Sequence, residues 1–330
     1  MIAVSAQGDV FEITDDVVDQ GRSNSPSVRG STVVQSLVFD NMVDFGDRYV
    51  VTGPADRKSI LALNMSESPP SKLSELQPPA DKPACDPVAF GDTLLVATKR
   101  GQVFRIDPRT GRPVGAPFQP PLTPNTDTFW RRPLVLDSQK RFMIGDAEGQ
   151  LFLVESEGDN SLQKIHELQL DGLLLSPLVG AAGSAYAVVR DDSGDLLVGI
   201  PYADQMQVTG SVALPGGYVA GPLPIGDDLM VVLVDTGETV CFNTALEQQW
   251  AVEIPPGDND QLAGAPVLLN GQLVMAFVSG KIVAVDPASG EVKNSVDLGR
   301  PISHPPVELN GKLLVTGTDG TLHQLDALNW

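Results

Sequence analysis

The sequence predicts an all-β chain folded as an eight-bladed β-propeller of four-stranded antiparallel blades, with seven blades as the alternative. Three observations predict it. A Pro followed by an aliphatic residue recurs at Pro87, Pro133, Pro177, Pro222, Pro266 and Pro306, at intervals of 46, 44, 45, 44 and 40 residues, with Met42 in the same slot 45 residues before the first. Hairpin glycines follow at Gly101, Gly149, Gly194, Gly237, Gly280 and Gly320, and Gly8 marks one more unit at the amino end. The stretches 91–111, 271–291 and 311–327 share one plan: turn, apolar strand, tight Gly turn, alternating strand, acidic turn.

Each unit reads as four short strands. The first begins at the Pro. The second and third, such as Leu94–Thr98 and Val103–Ile106, carry β-branched and aliphatic residues around a Gly turn, which is a hairpin signal. The fourth, such as Val292–Leu298, is more variable. Six residues after the hairpin Gly comes Asp107, Glu155, Asn243, Asp286 or Asp326. Two of these open the turns Asp107-Pro-Arg-Thr-Gly111 and Asp286-Pro-Ala-Ser-Gly290, where Asp bonds amides ahead of it, Pro presets φ and Gly accepts a left-handed conformation. The fifth unit, around Asp192–Ile200, carries the plan weakly. Met1 falls at the second strand of its unit and Trp330 precedes a full fourth strand. The expectation is therefore one propeller domain over 1–330 with incomplete first and last blades, a fragment of a longer chain.

Composition narrows the function classes. With 42 Asp and Glu against 22 Lys and Arg the net charge is −20, which repels a phosphate backbone or an anionic membrane, so nucleic acid is not an expected partner. Two cysteines and three histidines are too few for a disulfide scaffold or a Cys-based zinc site. Cys85 and Cys241 lie three or four units apart, beyond the Cα separation a disulfide tolerates, and are expected to be free thiols. The start MIAVSAQGDVFEI has neither the basic flank nor the apolar run of a targeting segment. The charge-free window Leu173–Val189 contains Pro177, Gly180 and Gly183 and reads as strand, loop and strand, so no transmembrane segment is expected.

The string Gly-x-aliphatic-x-x-aliphatic-Asp-x-x-(Thr/Ser)-Gly at 101–111 and 280–290 resembles the repeat of the pyrroloquinoline quinone (PQQ) propeller superfamily, over nearly the whole chain. The superfamily's outer-strand Trp is matched by Trp250 and at the far end by Trp330; a large ring filling the gap between two blades accounts for Trp250. The resemblance implies either a quinoprotein dehydrogenase or a member of the cofactor-free BamB-like group. The enzymes of the superfamily are about twice this length, and hold the quinone against adjacent cysteines and a Trp floor with calcium on Glu, Asn and Asp. Adjacent cysteines are absent here. The BamB-like resemblance implies a scaffold among envelope proteins, a periplasmic or cell-envelope location and no cofactor. The lipid-bearing Cys of that group is not found near this amino end, so its anchoring does not carry over.

No P-loop, His-Glu-x-x-His pair or Gly-x-Ser-x-Gly elbow occurs. His166, His304 and His323 occupy different positions of the unit plan, and the acidic run Asp191–Asp195 lacks EF-hand spacing and reads as a turn. More informative are two long Pro-rich connections, Pro78–Asp86 and Pro120–Arg132. The second ends in Phe129, Trp130, Arg131 and Arg132, aromatic and cationic residues of the kind that make binding hot spots, in an otherwise acidic chain. The competing reading tucks both rings onto the propeller and pairs the arginines with nearby acids. Aligned on the repeating Pro, Asp86, Arg132, Ser176 and His304 form the polar arc of the expected funnel mouth, where no base and nucleophile pair can be named. The leading expectation is a non-enzymatic scaffold that docks a protein partner through this loop face. The alternatives are a quinoprotein-like or other small-ligand enzyme using the funnel, and a sensory propeller attached to a catalytic domain outside this chain.

Overall fold

Five of the expected hairpin turns form by one recipe. The amides of Gly101, Gly149, Gly237, Gly280 and Gly320 donate to the carbonyls of Thr98, Asp146, Val234, Phe277 and Gly317 at 2.9–3.1 Å. Each of these glycines has φ between 82° and 103°, the left-handed step of a type I turn with a bulge, which reverses a twisted antiparallel pair. Gly149 and Gly280 carry a second constraint: a Cβ there would run into the carbonyl oxygens of Gly172 and Arg300, where the chain crosses the turn on its way to the next sheet.

These features belong to a computed structural model that describes residues 2–4, 9–14, 27–33, 42–45, 48–52, 60–64, 66–67, 71–76, 82–121, 127–136, 140–157, 161–203, 205–254, 260–309 and 312–326. Gly8, Trp330 and positions 122–126 of the long loop lie outside the described residues. Among the described residues there is no α-helix, and the strands form eight antiparallel sheets in chain order. The second, third, fourth, sixth and seventh sheets have four strands each, and the first and eighth have three. The leading strand starts within two residues of the repeating Pro at Val88–Phe90, Leu134–Leu136, Val179–Ala181, Val267–Leu269 and Val307–Leu309. In the sixth sheet it runs through Pro222, as Tyr218–Ile225, with register shifts on either side of Ala220.

The fifth unit, weakest in sequence, contains two of the longer strands, Ser184–Asp191 and Gly194–Pro201. Its leading strand is split, with Leu173–Leu174 and Val179–Ala181 both pairing with Ser184–Asp191. The Asp-Pro turns form as expected: Asp107 Oδ1 accepts the Arg109 amide and Asp286 Oδ1 the Ala288 amide, both at 2.8 Å.

The chain divides into two compact units, one of Met1–Thr14, Val28–Asp192 and Ile200–Val208, the other of Asp15–Ser27, Ser193–Gly199 and Thr209–Trp330. In the first unit, strand Thr93–Ala97 of the third sheet is buried on both faces. Leu94 and Val96 pack with Ile60 and Ala62 of the second sheet, while Leu95 and Ala97 pack with Phe142, Ile144 and Phe152 of the fourth. A strand sandwiched between two sheets has no solvent face to mark with polar residues, so it reads as continuously apolar. Leading strands line up along this unit: Val88–Phe90 touches Met42–Asp44 on one side and Leu134–Leu136 on the other, and the latter touches Val179–Ala181. The second unit repeats the plan, with Leu273 and Met275 against Val231 and Cys241, and Val274 and Ala276 against Ile302 and Val315.

Trp250 fills a gap between sheets, as its outer-strand position predicts. Its indole lies against Gly290, and Nε1 donates to the Pro287 carbonyl at 3.0 Å in the Asp286 turn of the following sheet. Ser74 makes the same tie two sheets into the chain, its Oγ donating to the Pro108 carbonyl at 2.9 Å. Ser74 and Trp250 both sit at the bulge of their outer strand, opposite Ala62 and Cys241.

Both cysteines are free thiols. Burial pushes the Cys85 thiol up to about 12, with Asp86 adding to the rise and Arg132 opposing it, and burial pushes Cys241 up to about 11. At pH 8 neither thiol of the folded protein should react with a disulfide reagent, and both should react once it unfolds. An unfolded thiol loses its proton near pH 8.5. The stability that the two protonated thiols contribute is therefore complete below that pH and is lost as pH climbs toward 11–12. Rapid labelling of either thiol at pH 8 under native conditions would contradict the packing described.

Candidate functional site

The backbone fixes the loop before Pro133 ahead of any side-chain choice. The Thr128 amide donates to the Lys99 carbonyl (2.7 Å) in the hairpin turn of the third sheet, and the Ala147 amide, in the turn of the fourth, donates to the Phe129 carbonyl (2.9 Å). The Arg131 amide then donates to Gly145 (2.8 Å), and Trp130 bridges Asp146. A segment held straight in this way sends successive side chains to opposite sides.

Trp130 consequently turns inward. It is 3% exposed and meets Phe152 edge to face at 6.1 Å within the cluster that holds Phe90, Phe118 and Phe142. Among the described residues its Nε1 has no hydrogen-bond partner. Phe129 turns outward and is 62% exposed. The expected pair of contact aromatics is therefore divided: Trp130 belongs to the core, and Phe129 is the ring left exposed to solvent.

The arginines also divide. Arg131 is half-buried, and its Nε and Nη2 both donate to the Leu174 carbonyl, at 2.9 and 2.7 Å. A guanidinium fork on one carbonyl ties the loop to the start of the fifth sheet. The Arg131 carbonyl in turn faces the Cys85 thiol at 3.6 Å. Arg132 is exposed, and with Asp86 it acts electrostatically on that thiol, so Asp86, Arg131 and Arg132 are brought together around Cys85.

Ser176 is committed to backbone partners of its own sheet. It is fully buried; its hydroxyl accepts the Val188 amide and donates to the Pro177 carbonyl, both at 2.8 Å, so its one proton is spent on the backbone at the break in the split leading strand. His304 belongs to the second unit, where its exposed ring lies 2.8 Å from Ser303 Oγ. Of the polar arc expected from alignment on the Pro, Asp86 and Arg132 come together around Cys85 in the first unit, Ser176 is buried in that unit, and His304 lies in the second.

One surface residue escaped the sequence reading. The Leu174 amide donates to the Ala147 carbonyl (3.1 Å), while the Ala147 amide is on Phe129, so a single residue of the fourth sheet's turn links the two connections. Beside Leu174, Leu173 is 52% exposed. Phe129 and Leu173 are thus exposed apolar residues on the two segments that hydrogen-bond to Ala147. The run Leu173-Leu174-Leu175 carried no sign of which leucine faces solvent. Among the described residues no group of three His, Cys, Asp or Glu side chains is arranged to hold a metal ion, and no helix is long and apolar enough to cross a membrane.

Residues 130–308 and 235–329 match the family profile described as outer membrane protein assembly factor BamB. The chain is similar to the crystal structure of BamB from Moraxella catarrhalis, with 16% identity and a TM-score of 0.66 over 98% of this chain and 90% of that one. It is similar also to Sqt1 of Saccharomyces cerevisiae, at 11% identity and a TM-score of 0.68 over 98% and 92%. A computationally designed protein, Ika8, aligns at 12% identity with a TM-score of 0.72 over 98% and 92%. No curated protein matches the chain. At these identities the solved structures speak for the fold.

Proposed function

The chain belongs to the family described as outer membrane protein assembly factor BamB, and from that membership we propose that it is a non-enzymatic scaffold of the cell envelope that holds a protein partner. The eight sheets are taken as the blades of one propeller domain, and the surface of Phe129 and Leu173 as the place where the partner docks. The carrying observation is the conformation of residues 127–132. The loop is pinned by backbone bonds to two sheets and by Arg131 to a third, and a large aromatic is left exposed on it. An exposed ring on a preorganised segment gains contact area on binding without a large ordering cost. An enzyme of this fold needs convergent reactive groups, and around this loop the polar side chains serve the backbone: Ser176 a strand break, Arg131 a carbonyl, Asp146 its own hairpin turn.

A photocrosslinking amino acid placed at position 129 or 173 in cells is expected to trap one discrete protein adduct. The same group at Val292, exposed on an outer strand, should give none. Equal yields at all three positions would remove the reading.

A further inference from the structure

We infer that the docking surface takes an extended acidic segment of its protein partner, one bearing an apolar side chain flanked by carboxylates. The inference rests on the scaffold reading above and adds the chemistry of the segment. Five of the chain's 22 Lys and Arg residues, namely Lys82, Lys99, Arg100, Arg131 and Arg132, lie on segments that backbone bonds draw together beside Phe129. The Lys99 amide donates to the Lys82 carbonyl (3.0 Å), and the Lys99 carbonyl accepts the Thr128 amide, next to Phe129. Arg100 follows Lys99 in the same turn, and Arg132 is exposed three residues beyond Phe129.

Among the described residues, the acids on the same segments are Asp86, Asp127, Asp146, Glu148 and Asp171. One of them, Asp146, directs its carboxylate at the Glu148 and Gln150 amides of its own turn. Among the described residues, cations and acids are therefore in balance here, whereas acids outnumber cations more than two to one over the rest of the chain. A chain of net charge −20 attracts basic segments over most of its surface. This patch is where an acidic one meets cations next to an apolar anchor site, with the Phe129–Leu173 surface for its apolar side chain and Lys99 and Arg132 for the carboxylates on either side. Like-charge repulsion from the rest of the molecule would then reject acidic segments that miss the patch, which supplies register and selectivity.

Three labelled ten-residue peptides test this by fluorescence anisotropy at low salt: one of Asp and Glu around a central Phe, one with every acid replaced by Lys, and one acidic with Ser in place of Phe. The acidic Phe peptide should bind the intact chain at least tenfold more tightly than either of the others. Arg132→Glu and Phe129→Ser should each weaken it at least tenfold, while Arg132→Lys retains most of the binding. A Lys peptide that binds as tightly, or an acidic peptide indifferent to Arg132→Glu, would overturn the inference. If position 129 crosslinks a protein but the acidic peptide does not bind, the docking surface stands and its acidic partner falls. If no crosslink forms, the reading beneath both is lost.

Discussion

Trp130→Ala is expected to destabilise the fold by about 3–5 kcal/mol, the usual cost of emptying a core site of an aromatic ring. The ring belongs to a cluster drawn from two sheets, in which Phe118 and Phe152 meet edge to face 5.3 Å apart. Trp130→Phe should be far milder. It gives up some area, but it also removes an indole N–H that is buried without a partner, a defect that costs about 1–3 kcal/mol. Phe129→Ser, one residue away, should change stability by less than about 0.5 kcal/mol, because its ring already faces solvent. Denaturant unfolding of the three variants measures all of this. An unchanged midpoint for Trp130→Ala would mean that the loop presents the indole, and the division between Phe129 and Trp130 would fail.

Gly280→Ala should cost about 2–5 kcal/mol. Roughly 1–2 kcal/mol comes from forcing an L-residue into the left-handed region, and about 1–3 kcal/mol from driving a methyl group into the Arg300 carbonyl. Gly320 supplies an internal control, since it closes the same type of turn at φ 82° with nothing within 4 Å of its would-be Cβ. Gly320→Ala should therefore lose only the backbone share. Equal losses at the two positions would mean that the crossing chain gives way, and that the close approach at Gly280 does not matter.

The repeat was legible because its spacing residues do backbone work. Pro before a leading strand, Gly at a positive φ and Asp at the head of a turn are each demanded by conformation, so they recur at fixed intervals however the rest of the unit varies. The fifth unit was obscure because it replaces the common turn with the Asp192-Ser193 reversal and splits its leading strand at Ser176-Pro177. The site was only half legible. Composition marked Phe129–Arg132 as unusual, but the direction each side chain takes depends on hydrogen bonds to Lys99, Gly145 and Ala147, residues of two β-hairpins that are distant in sequence and meet this segment in space. Arg131 could be expected to seek an acid, and it found the Leu174 carbonyl, an acceptor that no side-chain pattern reveals. Leu173 was hidden within three consecutive leucines.

The central claim is that Phe129 and Leu173 form a protein-docking surface separable from the core beneath it. Its most direct test is to titrate the protein trapped at position 129 with the wild-type chain and with the Phe129→Ser, Leu173→Ser double variant, and to record the melting of both chains in the same buffer. Loss of two hot-spot side chains at about 1–2 kcal/mol each predicts binding weaker by about 30-fold or more with an unchanged cooperative melt. Unchanged affinity, or affinity lost only together with the melt, would contradict the claim.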